Sequence, residues 1–131
     1  SNLEESLDWY AKVFDFRVVE RGLRDTGAWA IIRSGEAMLC LYEHPHRVGP
    51  DRFLKDEGKR HVLYHFGLRI SDREAWLRAV EKYDLPLEFG GESIWPHSSS
   101  WYTVDPTGYS IEVVLWNENI VRFDSVCDQA A

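Results

Sequence analysis

Cysteine is nearly absent: Cys40 and Cys127 are the only two, one in a strand-like run and one in the tail. No disulfide framework can be built from them, and a reducing cytoplasm is the expected setting. Long apolar runs are missing too. None approaches the roughly 20 residues that span a bilayer, and the opening Ser1-Asn-Leu-Glu-Glu lacks the basic and apolar regions of a signal peptide. Positive charge is in short supply, with 15 Lys and Arg against 22 Asp and Glu, a formal charge of -7 and a pI near 5.2. Such a surface argues against nucleic acid or an anionic membrane as partner, and leaves a small molecule or another protein. There is no nucleophilic triad, no Gly-rich phosphate loop and no cysteine pair at zinc spacing. Metal chemistry or simple binding remains.

What the chain does contain is bulk. Its 131 residues are 44% hydrophobic and 14% aromatic, enough for one well-buried domain or two small halves sharing a core. An internal repeat favours the halves. Ser1-Asn-Leu-Glu-Glu-Ser-Leu7 aligns with Ser71-Asp-Arg-Glu-Ala-Trp-Leu77 about seventy positions later, and each reads as a Ser-x-x-Glu capping box opening a helix. Leu3, Leu7, Tyr10 and Phe14 then form one apolar stripe, and Trp76, Leu77, Val80 and Tyr83 another. Three strand-like runs follow each helix: Phe16 to Leu23, Ala28 to Ser34 and Ala37 to Glu43, then Leu87 to Ser93, Trp101 to Val104 and Tyr109 to Trp116.

The expected organisation is a first module over residues 1–44, a linker over 45–60 rich in Pro, Gly and charge, a second module over 61–116, and a tail over 117–131. His61 to Ile70 supplies a strand before the second helix that has no counterpart before the first. Either that first strand is missing from this chain or another segment or chain takes its place, and the cost of an unpaired edge inside a core favours loss. The fold class expected is α+β, with paired βαβββ modules forming a cup-shaped mixed sheet.

Two residues on the second module carry the chemical interest. Glu112 lies among Ile111, Val113, Val114 and Leu115, where an ionised carboxylate is costly unless a cation or strong donors meet it. On strand parity Val62, Tyr64, Phe66, Leu68 and Ile70 form one apolar face, so His61, His65 and Arg69 share the other. One His and one Glu on neighbouring strands are half of a metal site. The bland readings stand beside it: a salt bridge from Glu112 to Arg69 or Arg33, and a hydrogen-bonded core role for His65. His61 lies roughly 13 Å from His65 along a strand, too far to share an ion with it.

Asn2-Leu-Glu-Glu-Ser-Leu-Asp-Trp-Tyr-Ala-Lys-Val-Phe14, His65 in the strand before the second helix, and Asp105-Pro-Thr-Gly-Tyr-Ser-Ile-Glu112 together resemble the vicinal oxygen chelate superfamily. That superfamily includes glyoxalase I, bleomycin-resistance proteins, fosfomycin-resistance transferases, methylmalonyl-CoA epimerase and extradiol dioxygenases. The resemblance spans about residues 1–116 and implies a divalent metal (Fe, Mn, Ni or Zn) held inside the cup, with His65 and Glu112 on ligand positions. It implies a third His upstream of Ser1. A fourth ligand position maps to Leu39 when Gly35 is aligned with Gly108, and Leu39 cannot bind metal, which points to a two-His, one-carboxylate pattern.

The resemblance also places Tyr102 where dioxygenase members orient substrate, although packing is an equal reading. His97 lies in a loop where it could carry protons, and Glu43 could reach the rim as a polar pocket residue. Trp29, Trp95, Trp101 and Tyr42 could line an aromatic pocket. Two functions follow: a metal-dependent enzyme of the glyoxalase or dioxygenase type acting on a small substrate chelated through adjacent oxygens, or a metal-free cup that sequesters an aromatic or cationic ligand. Exposed sheet edges and the apolar tail residues Ile120, Val121 and Phe123 suggest a homodimer.

Overall fold

In the computed structural model residues 2–44 and 63–122 are described. The fold class is α+β, as expected. Helix α1 spans Leu3–Phe14 and is followed by β1 (Arg17–Arg24), β2 (Gly27–Ser34) and β3 (Ala37–Tyr42); then come β4 (Phe66–Ile70), α2 (Arg73–Lys82), β5 (Ser93–Ile94), β6 (Ser98–Val104) and β7 (Ser110–Trp116). None of the helices is long and apolar enough to cross a membrane among the described residues. The chain divides into two compact units, one of Ser1–Phe66 with Val104–Ser110 and one of Gly67–Thr103 with Ile111–Ala131.

The first unit is a three-stranded antiparallel sheet, β1-β2-β3, with α1 on one face. Helix α1 starts one residue later than the capping-box reading: Asn2 is the cap, its side chain accepting from the amides of Glu4 and Glu5. Ser1 lies outside the described residues. Glu4 and Glu5 sit favourably in the first turn against the helix dipole. The apolar stripe is buried at Leu3, Leu7 and Tyr10, worth roughly 1.5–3 kcal/mol per large side chain. Ala30 and Ile32 of β2 are buried on the same unit's core side.

Strand register settles which residues share a face. Ile32 pairs with Leu39 and Ala30 with Leu41, whereas Ile31 pairs with Cys40 and Trp29 with Tyr42. Leu39 therefore shares the face of the buried Ala30 and Ile32, and Met38, Cys40 and Tyr42 form the exposed one. A one-residue bulge at Val19 interrupts β1 between Val18 and Glu20. Gly27 is required by space as well as by φ (141°): a Cβ there would lie 1.9 Å from the carbonyl oxygen of Glu43.

The second sheet runs in the order β4-β7-β6-β5, and β5 pairs antiparallel with β6 through Ser93 and Ser100. Helix α2 begins after Asp72, whose carboxylate accepts from the Ala75 amide, again one residue beyond the Ser71 expected as cap. Its Trp76 is buried and meets Trp101 of β6 at a ring separation of 6.5 Å. The strand expected over Leu87 to Ser93 shrinks to Ser93–Ile94, because Phe89, Gly90 and Gly91 all take positive φ and break the run. His61 and the linker over 45–60 lie outside the described residues.

Candidate functional site

The turn before β7 is tightly specified. Asp105 Oδ1 accepts from the amides of Thr107 and Tyr109, both at 2.9 Å, and its carbonyl accepts from Gly108, which takes φ 98°. Asp105 Oδ2 accepts the hydroxyl of Tyr10 at 2.9 Å. The chain then enters β7, where burial alternates: Ile111 and Val113 are completely buried, while Glu112, Val114 and Trp116 are half-buried on the other face.

That second face lines a cavity of about 460 Å³ within the second unit. Its walls include Glu112, Val114 and Trp116 of β7, Arg69 of β4, and Trp95 and His97 of the segment between β5 and β6. The volume is that of an ordinary small-molecule site. Two hydroxyls from β6 hold the carboxylate: Ser100 Oγ donates to Glu112 Oε1 at 2.7 Å and Tyr102 Oη donates to the same oxygen at 3.0 Å. Ser100 is fully buried, and Phe89 meets the Tyr102 ring edge-on at 5.2 Å. These donors offset the desolvation cost that made Glu112 conspicuous.

His97 shares the cavity with Glu112. Tyr102 reaches the site through Glu112 rather than through the cavity wall. His65 stands just before β4, with its Nδ1 atom buried and its ring 5.2 Å from that of Tyr64; it is not among the cavity walls.

Other expectations need correction. Arg33 hydrogen-bonds the Gly35 carbonyl and Glu36, and Arg69 donates to Asn119, so neither serves as the counterion proposed for Glu112. Glu43 does not line this cavity; its Oε2 accepts the Leu3 amide at 2.6 Å and so satisfies a free donor of the first turn of α1. Of the four aromatics proposed for the pocket only Trp95 lines it. Trp101 is core, Trp29 lies in the first sheet beneath Arg24, and Tyr42 hydrogen-bonds Thr26.

The mapping of a fourth ligand position to Leu39 also fails. Glu112 lies on the face opposite the fully buried Ile111 and Val113, whereas Leu39 lies on the same face as the buried Ile32. Aligning Gly35 with Gly108 ignores a difference in the turns. Ser34 pairs with Ala37 across a two-residue loop, while Asp105 to Tyr109 build a longer one.

A metal, as the resemblance implies, needs convergent donors. Glu112 on its two hydroxyls is a suitably oriented carboxylate, yet no group of three His, Cys, Asp or Glu side chains placed to hold an ion occurs among the described residues. The described donor set is incomplete for a metal.

The fold is shared with solved structures. A glyoxylase/bleomycin resistance protein/dioxygenase domain from Frankia sp. is 20% identical with a TM-score of 0.71, covering 88% of this chain and 90% of that one. TnmS3, an antibiotic binding protein from Streptomyces sp., is 18% identical with a TM-score of 0.65, covering 89% and 88%. The fosfomycin resistance protein FosX from Listeria monocytogenes, in complex with Mn(II) and sulfate, is 10% identical with a TM-score of 0.64, covering 89% and 85%. At these identities the likeness establishes the fold alone. No curated protein sequence is significantly similar. The family model of the glyoxalase/bleomycin resistance protein/dioxygenase superfamily matches residues 1–113, and on that match, with the fold and the Asp105-to-Glu112 motif behind it, the chain belongs to this superfamily.

Proposed function

We propose that this protein binds a small organic molecule in the Glu112 cavity, with the carboxylate as the polar anchor and Trp95 and Trp116 as apolar walls. The observation that carries this is the placement of Glu112 on the cavity wall with Ser100 and Tyr102 both donating to one of its oxygens. A carboxylate so held keeps a fixed direction and accepts a hydrogen bond from a hydroxyl or ammonium group entering the cavity. Tyr102 acts as a positioning residue for Glu112, and His97 is the group placed to take up or release a proton near a bound molecule.

A second reading is a metal-dependent enzyme of the same superfamily. The hydroxyl-bonded carboxylate favours it, since ligating carboxylates are themselves oriented by outer hydrogen bonds. In that reading His65 and Glu112 would supply ligands to one divalent ion, and the ion would lend Lewis-acid chemistry toward adjacent oxygens of a substrate. Isothermal titration with 2-naphthol as the probe separates the two, run on chelator-stripped protein and again with Mn(II) added. Equal binding in both supports the metal-free site. Binding only with Mn(II) supports the enzyme, and no binding in either refutes both. We further infer that the chain pairs with a second copy, because Leu23, Met38 and Ile94 are largely exposed apolar side chains.

A further inference from the structure

Resting on the Glu112 cavity as a binding site, we propose that its ligand is an aromatic or similarly flat oxyanion, with a negatively charged oxygen group at one end and a hydrogen-bond donor at the other. Arg69 and Arg122 both line the cavity that holds Glu112. In a chain with a net charge of -7, carboxylates are plentiful, and Arg17, Arg21, Arg33 and Arg73 each take one in a salt bridge. Arg69 does not. One of its terminal nitrogens donates to the carbonyl and side-chain oxygens of Asn119 at 2.6 and 2.5 Å, both neutral acceptors, and no ion pair neutralises it among the described residues. Arg122 likewise makes no salt bridge among them.

The Asn119 contact fixes Arg69 without consuming its charge. A guanidinium carries five N–H donors; the two bonds to Asn119 occupy Nη2 and leave Nε and Nη1 as donors, each for a single charge-assisted hydrogen bond to a carboxylate or phosphonate oxygen. The turn that presents Asn119 is itself held in an uncommon conformation, with Glu118 at φ 55° and Asn119 at φ 57°. Two consecutive non-Gly residues at positive φ carry a conformational cost and persist where surrounding contacts over-determine them.

The cavity thus holds both signs. Glu112 repels an anion and attracts a donor, while Arg69 and Arg122 do the reverse, so a ligand charged at one end only satisfies half of the wall. Trp95, Trp116 and Val114 supply apolar surface for the body of the ligand. A purely cationic ligand, which the acidic composition would suggest, meets two arginines here.

Three matched probes test this in calorimetry: 6-hydroxy-2-naphthoate, 2-naphthoate and 2-naphthol. The expected order places the hydroxynaphthoate first, about tenfold tighter than 2-naphthol, since a hydrogen bond to a charged group contributes about 1.4 kcal/mol or more. The advantage should shrink with added salt. Arg69→Gln should remove the preference for the carboxylate while 2-naphthol still binds, and Arg122→Gln should reduce it. Equal affinity for all three probes in the wild type, or a preference for 2-naphthol, overturns the oxyanion inference and leaves the binding site standing. Failure of all three to bind overturns the site itself. Should Arg69→Gln not fold, Arg122→Gln and the salt dependence of the wild type still decide.

Discussion

Tyr10 of α1 donates its hydroxyl to Asp105, ninety-five positions away in sequence, at 2.9 Å in the core of the first unit. Tyr10 is 1% exposed and Asp105 is buried, so the pair ties the first helix to the turn that leads into β7. Burial, followed by the neighbouring Asp105 carboxylate, holds the Tyr10 hydroxyl far above its usual value near 10. Removing it by Tyr10→Phe leaves a buried carboxylate one donor short and should cost about 1.5–3 kcal/mol, read as a lower urea midpoint.

The same shift has a sign in pH. Above the usual tyrosine value the unfolded chain releases the proton and the folded chain keeps it, so stability is fully present below pH 10 and falls as pH rises further. Alkaline melts should show a smaller loss for Tyr10→Phe than for the wild type.

Acid acts on a different pair. Glu92 is held below its ordinary carboxylate value, chiefly by its hydrogen bond from Arg73, while burial opposes the shift. The stability it adds is present above the unfolded value near 4.5 and is lost as pH falls through the lower folded value. Glu92→Gln should therefore flatten the acid limb of the stability curve, by a modest amount because the pair is on the surface.

Trp95 is 50% exposed, so Trp95→Ala should change stability by no more than about 0.5 kcal/mol. It should nonetheless weaken 2-naphthol about tenfold if the ring forms a cavity wall. A loss of stability without a loss of binding would assign Trp95 to packing.

Self-association is the remaining expectation. Leu23 at 82% and Ile94 at 81% exposed, with Ile120 and Val121 also exposed near the tail, are apolar surface without cover. Light scattering should give twice the 15.3 kDa chain mass. A single-chain mass at tens of micromolar contradicts it.

Much of this was legible in the residues. Helix positions followed from the Leu3, Leu7, Tyr10 stripe, and the exceptional placement of Glu112 from its apolar neighbours. The caps were misplaced by one because Asn2 and Asp72, each one position after a Ser, are themselves strong capping residues and accept from the first-turn amides. Ser100 as a donor to Glu112 had a readable signal, since it shares strand parity with Tyr102. Register across the β2–β3 hairpin had none: the length of the Gly35-Glu36 loop decides which side of the sheet Leu39 takes. The roles of Glu43 and of Arg69 with Asn119 depend on contacts 40 and 50 positions apart, which local pattern does not encode.

The central claim is that the Glu112 cavity is a binding site, and the indole N–H signals of the six tryptophans report on it directly. Titrating 2-naphthol into ¹⁵N-labelled protein should shift the Trp95 and Trp116 indole resonances, which belong to cavity walls. Those of Trp9 and Trp29, in the first unit, should stay in place. Glu112→Ala should diminish the shifts. No movement at Trp95 and Trp116, or movement confined to Trp9 and Trp29, would contradict the account.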